Sequence, residues 1–120
     1  MGKLTTHVLD TASGRPAGGV RVRIFAVGAD AAGPRRLLRE ATTNVDGRCD
    51  APLLEGEGFE AGRYEIVFGA GAYFAALGTA LPEPPFVGDV VLRFGIADAT
   101  EHYHVPLLVS PWSWSTYRGS

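Results

Sequence analysis

The sequence predicts an all-β sandwich. In several short stretches, apolar and polar residues alternate with the two-residue period of a strand. These stretches recur along the chain at the spacing typical of such folds. Many of the 16 glycines and 8 prolines in the 120-residue chain fall between these stretches, where they favour turns. Only one segment has the composition of a helix, which argues against helical folds.

The individual strands are assigned from local pattern. Residues 20–27 read VRVRIFAV, and this Val/Arg alternation is the clearest half-buried strand in the chain. Residues 35–43 fit strand or helix by composition; we assign a strand because they lead directly into a turn whose Asp46-Gly47 step supplies the required geometry. The predicted strands are residues 4–10, 20–27, 35–43, 63–68, 87–96, 102–109 and 115–119, with a further short segment at 48–54.

The one predicted helix covers residues 71–78, which are rich in alanine and bounded by glycine. Pro82, Pro84 and Pro85 exclude regular structure after it. Because no repeat or long linker divides the chain, we expect a single domain over residues 1–120.

Composition and charge exclude several classes of function. With 11 basic and 13 acidic residues, the net charge is -2, which provides neither a basic footprint for nucleic acid nor a polybasic patch for membranes. No apolar run approaches the roughly 20 residues of a membrane span, and residues 1–7 lack the hydrophobic region of a signal peptide. The single cysteine excludes an intramolecular disulfide framework. We therefore expect a cytoplasmic protein.

Alternation also separates the three histidines from the core. In residues 102–109, His102 and His104 share one face, while the alternating residues from Tyr103 onward form the apolar face. His7 is separated in the same way from Leu4 and its apolar neighbours. If the two strands share a sheet, the histidines converge on its outer face, where imidazoles can act as general base or acid near neutral pH.

An arginine and the last residues could complete such a site. Arg48 follows a tight turn, and its planar fork of donors suits a carbonyl or carboxylate. Tyr117, Arg118 and Ser120 add hydroxyl groups and a second cation.

Each of these features also has a purely structural interpretation. Histidines on an outer strand face and arginines after turns are common solvated residues. The spacing of His102 and His104 would also fit a metal pair, but zinc sites use three or four ligands and no cysteine or acidic ligand joins the pair at a familiar spacing. The residues alone therefore indicate a candidate site without identifying its reaction.

Taken together, five stretches resemble the transthyretin-like proteins, and among them the 5-hydroxyisourate hydrolases. The ending Tyr-Arg-Gly-Ser is specific to those enzymes; the hormone carrier transthyretin shares their fold but lacks this ending and the histidine set. The matching stretches are residues 4–10 (LTTHVLD), 14–20 (GRPAGGV), 43–48 (TNVDGR), 102–111 (HYHVPLLVSP) and 115–120 (STYRGS).

The resemblance implies a fold, an assembly and a reaction. The fold is a transthyretin-like (prealbumin-like) sandwich of two four-stranded sheets with one short helix, and the assembly is a homotetramer with active sites in a channel where dimers meet. The reaction is hydrolysis of 5-hydroxyisourate to 2-oxo-4-hydroxy-4-carboxy-5-ureidoimidazoline without a metal or organic cofactor. The implied catalytic residues are His7, Arg48, His104 and Ser120, and the implied substrate-binding residues are His7, Arg48, Tyr117, Arg118 and Gly119. His102 matches the family signature, but we assign it no catalytic role.

Two stretches depart from the family pattern. Residues 112–114 read Trp-Ser-Trp in place of the usual aromatic-glycine-aromatic sequence, so we expect an altered channel wall with the chemistry retained. Residues 79–88, with three prolines, are not a close match, so the resemblance does not fix the end of the helix or the start of the next strand.

The mechanism that we expect is direct attack of water on a ring carbonyl. His7 or His104 would take the water proton, Arg48 would stabilise the oxyanion, and the other histidine or Ser120 would protonate the leaving nitrogen. The sequence leaves open which histidine is the base. Two other classes compete: a transthyretin-type carrier of a small aromatic ligand, and a structural or carbohydrate-binding sandwich, which predicts an inactive monomer.

Overall fold

The computed structural model describes residues 2–30 and 33–119. Within this part the chain forms nine strands, one α-helix and one turn of 3-10 helix at Gly56–Gly58. None of the helices in these residues is long and apolar enough to cross a membrane. The elements are β1 (Lys3–Asp10), β2 (Arg15–Pro16), β3 (Arg21–Val27), β4 (Arg35–Thr42), β5 (Leu54–Glu55), β6 (Gly62–Phe68), α1 (Ala70–Ala76), β7 (Val90–Ile96), β8 (His102–Val109) and β9 (Trp114–Thr116).

The strands form two sheets, as the sequence predicts. The first has the order β2-β1-β8-β9, and the two-residue β5 also pairs with β1. The second has the order β4-β3-β6-β7. Strands β1 and β8 are parallel and pair along eight residues each, whereas the other pairs are antiparallel. This central parallel pair places the first strand of the chain beside the histidine-bearing strand.

The core lies between the sheets and is built from the alternating apolar residues of both. Burying each large side chain contributes roughly 1.5–3 kcal/mol, so these positions fix which face of each strand points outward. On β1 and β8 the opposite, outer face is the one that carries the histidines. The largest fully buried side chains include Leu4, Val8, Ile24, Ile66, Phe68, Phe74 and Leu107.

Helix α1 is anchored to the end of β1. The Tyr73 hydroxyl donates a hydrogen bond of 2.9 Å to Oδ2 of the buried Asp10, and burial together with this bond raises the pKa of Tyr73 to about 12. The other Asp10 oxygen accepts from the backbone N–H groups of Ala12 and Ser13, so this one carboxylate organises both the helix contact and the loop after β1.

The element bounds differ from the sequence prediction mainly at the strand ends. Strand β8 covers the predicted residues 102–109. Strand β7 begins at Val90 and not at residue 87, because the segment before it is bonded to α1: the Gly88 carbonyl oxygen accepts a 2.9 Å hydrogen bond from the Gly71 N–H. The last strand spans Trp114–Thr116 and stops before the predicted residue 119. Within the predicted loop at 13–19, Arg15–Pro16 forms the short strand β2.

A buried carboxylate joins three strands of the second sheet. Glu65 of β6 is only 3% exposed, accepts a 2.9 Å hydrogen bond from Nε of Arg93 on β7, and is paired with Arg35 of β4. Burial acts to raise the pKa of Glu65, but the hydrogen bonds from Arg35 and Arg93 outweigh it and hold this pKa below its usual value. Because the folded-state pKa is lowered, the carboxylate stabilises the fold above the unfolded pKa of about 4.3, and that stability is lost as the pH falls through the folded value.

We therefore expect Glu65→Gln to lower the free energy of unfolding by about 1.5–3 kcal/mol at pH 7, since two charge-assisted hydrogen bonds are weakened. Urea unfolding at fixed protein concentration measures this loss, and the gap from wild type should narrow below pH 4.3 or so. Glu40→Gln is the matched control, because the Arg21–Glu40 pair is exposed and should change stability by about 1 kcal/mol at most. Equal stability of Glu65→Gln and wild type at pH 7 would contradict this account.

Candidate active site

The pairing of β1 with β8 brings the three histidines to one side of the first sheet. Thr5 lies opposite His104 in the register, and His7 lies opposite Pro106. Leu4 and Val8 are fully buried beneath, whereas His7 and His104 are half-buried on the outer face. Strands β1 and β8 therefore share a sheet, and the histidines lie together on its outer face.

A tight turn delivers Arg48 to the same place. The side-chain oxygen of Asn44 accepts hydrogen bonds from the backbone N–H of Asp46 (2.9 Å) and of Arg48 (3.3 Å), which closes the turn. Gly47 has a φ of 74°, and its carbonyl oxygen accepts a 2.8 Å bond from the N–H of Val8. A Cβ atom at position 47 would lie 2.4 Å from the Val8 carbonyl oxygen, so glycine lets the turn dock on β1. As a result, the backbones of His7 and Arg48 pair in an isolated antiparallel β-bridge.

The chain beyond β9 packs directly against His104. The backbone N–H of Gly119 donates a 2.7 Å hydrogen bond to the His104 carbonyl oxygen. A Cβ atom at position 119 would lie 2.8 Å from Cδ2 of the His104 ring, so only glycine permits this approach without displacing the imidazole. Gly119 thereby limits the space in which the His104 ring can turn.

These elements enclose a cleft of about 660 Å³. Five of the predicted site residues line it together: His7, Arg48, His104, Tyr117 and Gly119. Ser120, which the resemblance places among the catalytic residues, lies outside the described residues. Within residues 2–30 and 33–119, no acidic side chain forms an ion pair with Arg48.

Arg118 does not line this cleft. One guanidinium nitrogen donates to Glu101 at 3.0 Å and to the His102 carbonyl oxygen at 3.4 Å, and the guanidinium carbon lies 3.9 Å from the centre of the Tyr103 ring. These contacts fasten the end of the chain to β8. A substrate contact by Arg118 stays a prediction.

Electrostatics favour the neutral form of two imidazoles. Burial, followed by the nearby Arg48 guanidinium, lowers the pKa of His7, although a hydrogen bond with the Asp46 backbone acts in the opposite direction. The pKa of His104 is lowered by burial and then by Arg48, His102 and His7. Both rings are therefore neutral at pH 7 and can accept a proton.

Thr5 is a member of the site that the sequence prediction missed. Its Oγ1 lies 2.8 Å from Nε2 of His102 and 2.8 Å from Nδ1 of His104. Strand alternation by itself puts Thr5 on the same face as His7, two residues along β1. Its contact with the histidines follows only from the parallel register, which sets Thr5 opposite His104.

The described part of the structure adds no further ligand to His102 and His104, which the sequence left open as a metal pair. Across the described residues, no group of three or more His, Cys, Asp or Glu side chains is arranged to hold a metal ion. The polar group that joins His102 and His104 is the Thr5 hydroxyl.

Comparison with known proteins assigns the chain to a family. The sequence profile of the HIUase/Transthyretin family matches residues 4–119. The chain belongs to the HIUase/Transthyretin family. It is 59% identical over 119 residues to 5-hydroxyisourate hydrolase 2 of Rhizobium meliloti (strain 1021), a match that covers 99% of this chain and 97% of that protein.

Solved structures of related proteins share the fold. The Klebsiella pneumoniae 5-hydroxyisourate hydrolase has a TM-score of 0.81 and 35% identity, with full coverage of both chains. An (S)-allantoin synthase has a TM-score of 0.92 and 48% identity, covering 99% of this chain but 44% of its own. Transthyretin from Sparus aurata has a TM-score of 0.83 and 27% identity, covering 98% of this chain and 96% of its own. The transthyretin-like sandwich predicted from the sequence is thus confirmed.

Proposed function

We propose that this chain is a hydrolase that opens a cyclic amide of 5-hydroxyisourate in the cleft between β1, β8 and the Arg48 turn. The observation that carries the proposal is the convergence of two neutral imidazoles and an arginine on one cleft. The related hydrolases from Rhizobium meliloti and Klebsiella pneumoniae support the substrate. The product would be 2-oxo-4-hydroxy-4-carboxy-5-ureidoimidazoline.

His104 acts as general base in this mechanism. Its ring is held by a hydrogen bond to Thr5 and by the close packing of Gly119, so its orientation toward the cleft is fixed before substrate arrives. A neutral imidazole takes a proton from water as the water oxygen bonds to the ring carbonyl carbon. The base must be neutral for this step, and the lowered pKa of His104 satisfies that need at pH 7.

Arg48 and His7 complete the reaction. As the C–O bond forms, negative charge collects on the carbonyl oxygen, where the Arg48 guanidinium stabilises it. The C–N bond of the ring then breaks, and the leaving nitrogen takes the proton that His104 removed from water. Neutral His7 relays this proton: it accepts it on one ring nitrogen and releases a proton from the other, so both imidazoles are neutral again at the end. Ser120 as an alternative proton donor, and Tyr117 and Gly119 as substrate contacts, stay predictions.

The product test uses isotopically labelled water. Freshly prepared 5-hydroxyisourate is mixed with enzyme in H₂¹⁸O, and the early product is analysed by mass spectrometry and ¹³C NMR beside an enzyme-free sample. We expect enzyme-dependent formation of a ring-opened product with one ¹⁸O atom in its new carboxylate. A carrier would bind the ligand without consuming it, and that outcome would contradict the proposal.

The pH dependence of kcat/KM follows from the lowered imidazole pKa values. Because the neutral histidines are the working forms, activity should be flat around pH 7 and fall only below the ordinary imidazole pKa of about 6.5. Steady-state rates between pH 5 and 8 or so measure this limb. NMR titration of His7 and His104 in Arg48→Gln is the control, since loss of the cation should raise both pKa values. An acid limb centred above about 6.5 would argue against neutral histidines.

The assembly that we propose is a homotetramer with active sites at the interface between dimers, located in the cytoplasm and built from one domain over residues 1–120. Large aromatic side chains left uncovered in a single chain support assembly: Phe86 is 72% exposed and Trp112 is 61% exposed, with their rings 6.0 Å apart. Analytical ultracentrifugation should give about four times the chain mass of 12.7 kDa. A stable monomer at micromolar concentration would exclude the tetramer.

A further inference from the structure

One hydroxyl joins two histidines at the edge of the cleft. Thr5 of β1 lies directly opposite His104 of β8, and Lys3 lies opposite His102, so Thr5 sits between the two imidazoles. Its Oγ1 is 2.8 Å from both Nδ1 of His104 and Nε2 of His102. Each distance is well within the range of a hydrogen bond. Thr5 is therefore the shared partner of both rings.

The hydrogen count of a hydroxyl restricts how this bridge can be made. Thr5 has one proton and can donate to one imidazole nitrogen only, although its oxygen can accept from two. If both bonded nitrogens were bare, one of the contacts would bring two lone pairs together. At least one bonded nitrogen must carry a proton, so the tautomers of His102 and His104 depend on each other through Thr5.

Only one state of His104 leaves it able to act as a base. If Nδ1 accepts a hydrogen bond from the Thr5 hydroxyl, the neutral ring carries its own proton on Nε2 and has no lone pair left to accept a proton. If Nδ1–H instead donates to Thr5, then Nε2 is bare and can accept a proton. In the second state the Thr5 proton is available for Nε2 of His102.

We propose that Thr5 is a positioning residue that holds His104 in the Nδ1–H tautomer with Nε2 bare. His102 secures this state because its Nε2 accepts a hydrogen bond from the Thr5 hydroxyl. The inference rests on the proposed function, in which His104 takes the proton of the attacking water. When that proton arrives on Nε2, His104 becomes an imidazolium, and its Nδ1–H bond to Thr5 strengthens because the donor is now charged. The bridge therefore favours the charge that develops during the reaction.

A structural role for Thr5, joining β1 to β8, is the competing explanation, and the chain offers a matched control. The neighbouring Thr6 points to the core, where its hydroxyl donates a 2.7 Å hydrogen bond to the Val105 carbonyl oxygen. It thus links the same two strands without touching an imidazole. Thr6→Val removes a strand-to-strand bond and leaves the Thr5 bridge intact.

Nitrogen NMR of the ligand-free protein reads the tautomers directly. The chain has three histidines, so long-range ¹H–¹⁵N spectra can be assigned with single variants. At pH about 8.5, roughly two units above the ordinary imidazole pKa, the His104 ring is neutral because its own pKa is lowered from that value. We expect protonated Nδ1 and bare Nε2 for His104 in wild type, Thr5→Ser and Thr6→Val, and a mixture of tautomers in Thr5→Val.

Kinetics give the second readout. Thr5→Val should lower kcat for 5-hydroxyisourate by about 10–100-fold with KM changed by about twofold at most, and Thr5→Ser should recover most of the loss. An active wild type whose His104 carries its proton on Nε2 overturns this inference alone, and that spectrum needs no variant. A Thr5→Val variant with the wild-type kcat and the wild-type tautomer of His104 would also overturn this inference. A wild type with the expected tautomer but no hydrolysis overturns the proposed function and, with it, the catalytic use of the bridge.

Discussion

Replacing Arg48 with alanine is expected to lower kcat/KM for 5-hydroxyisourate by about 10²–10³-fold, the usual effect of removing a donor that stabilises an oxyanion. Arg48 lines the cleft beside His7, and among the described residues no carboxylate neutralises it. Its charge is therefore available to the oxygen on which negative charge develops. Initial rates from the loss of substrate ultraviolet absorbance measure the change.

Two arginine variants separate this role from a general charge effect. Arg48→Lys keeps the charge but lacks the planar fork, so it should recover only part of the activity. Arg36→Ala removes an exposed arginine from β4 in the other sheet and should hydrolyse substrate at the wild-type rate. Full activity of folded Arg48→Ala, checked by circular dichroism, would exclude the oxyanion role.

Replacing His104 with alanine is expected to lower kcat by about 10²–10⁴-fold, the range for loss of a general base. The expected loss is large because His104 is neutral, half-buried and held from two sides, by Thr5 and by Gly119. Stopped-flow absorbance under single-turnover conditions measures the chemical step apart from product release.

The control for His104 is its partner in the same strand. His102 shares the Thr5 hydroxyl but is exposed, so His102→Ala should lower kcat far less than His104→Ala. If His102→Ala proved the more damaging of the two, the base would be assigned to the wrong ring. If His104→Ala retained the wild-type rate, no general-base role for His104 could stand.

Alternation along single strands was enough to predict the faces of the sheets. The buried Leu4, Thr6 and Val8 and the half-buried His7 follow the two-residue period of β1, as do Tyr103 and His104 in β8. Both patterns depend only on local burial, which one strand's sequence records. The Asp46-Gly47 step likewise marked the turn that carries Arg48.

Features that depend on two distant segments could not be predicted in this way. The bridge from Thr5 to His102 and His104 requires the parallel register of β1 and β8, which no local pattern encodes. The position of Arg118 over Tyr103, away from the cleft, depends on how the chain turns after β9. Glu65 looks like an ordinary strand residue until Arg35 and Arg93 are brought to it by neighbouring strands.

The most direct test of the central claim is the initial rate at which freshly generated 5-hydroxyisourate loses its ultraviolet absorbance in the presence of the wild-type protein near neutral pH. The account predicts a rate proportional to protein concentration and well above that of buffer. A rate equal to that of buffer, with folded protein present in excess, would contradict it.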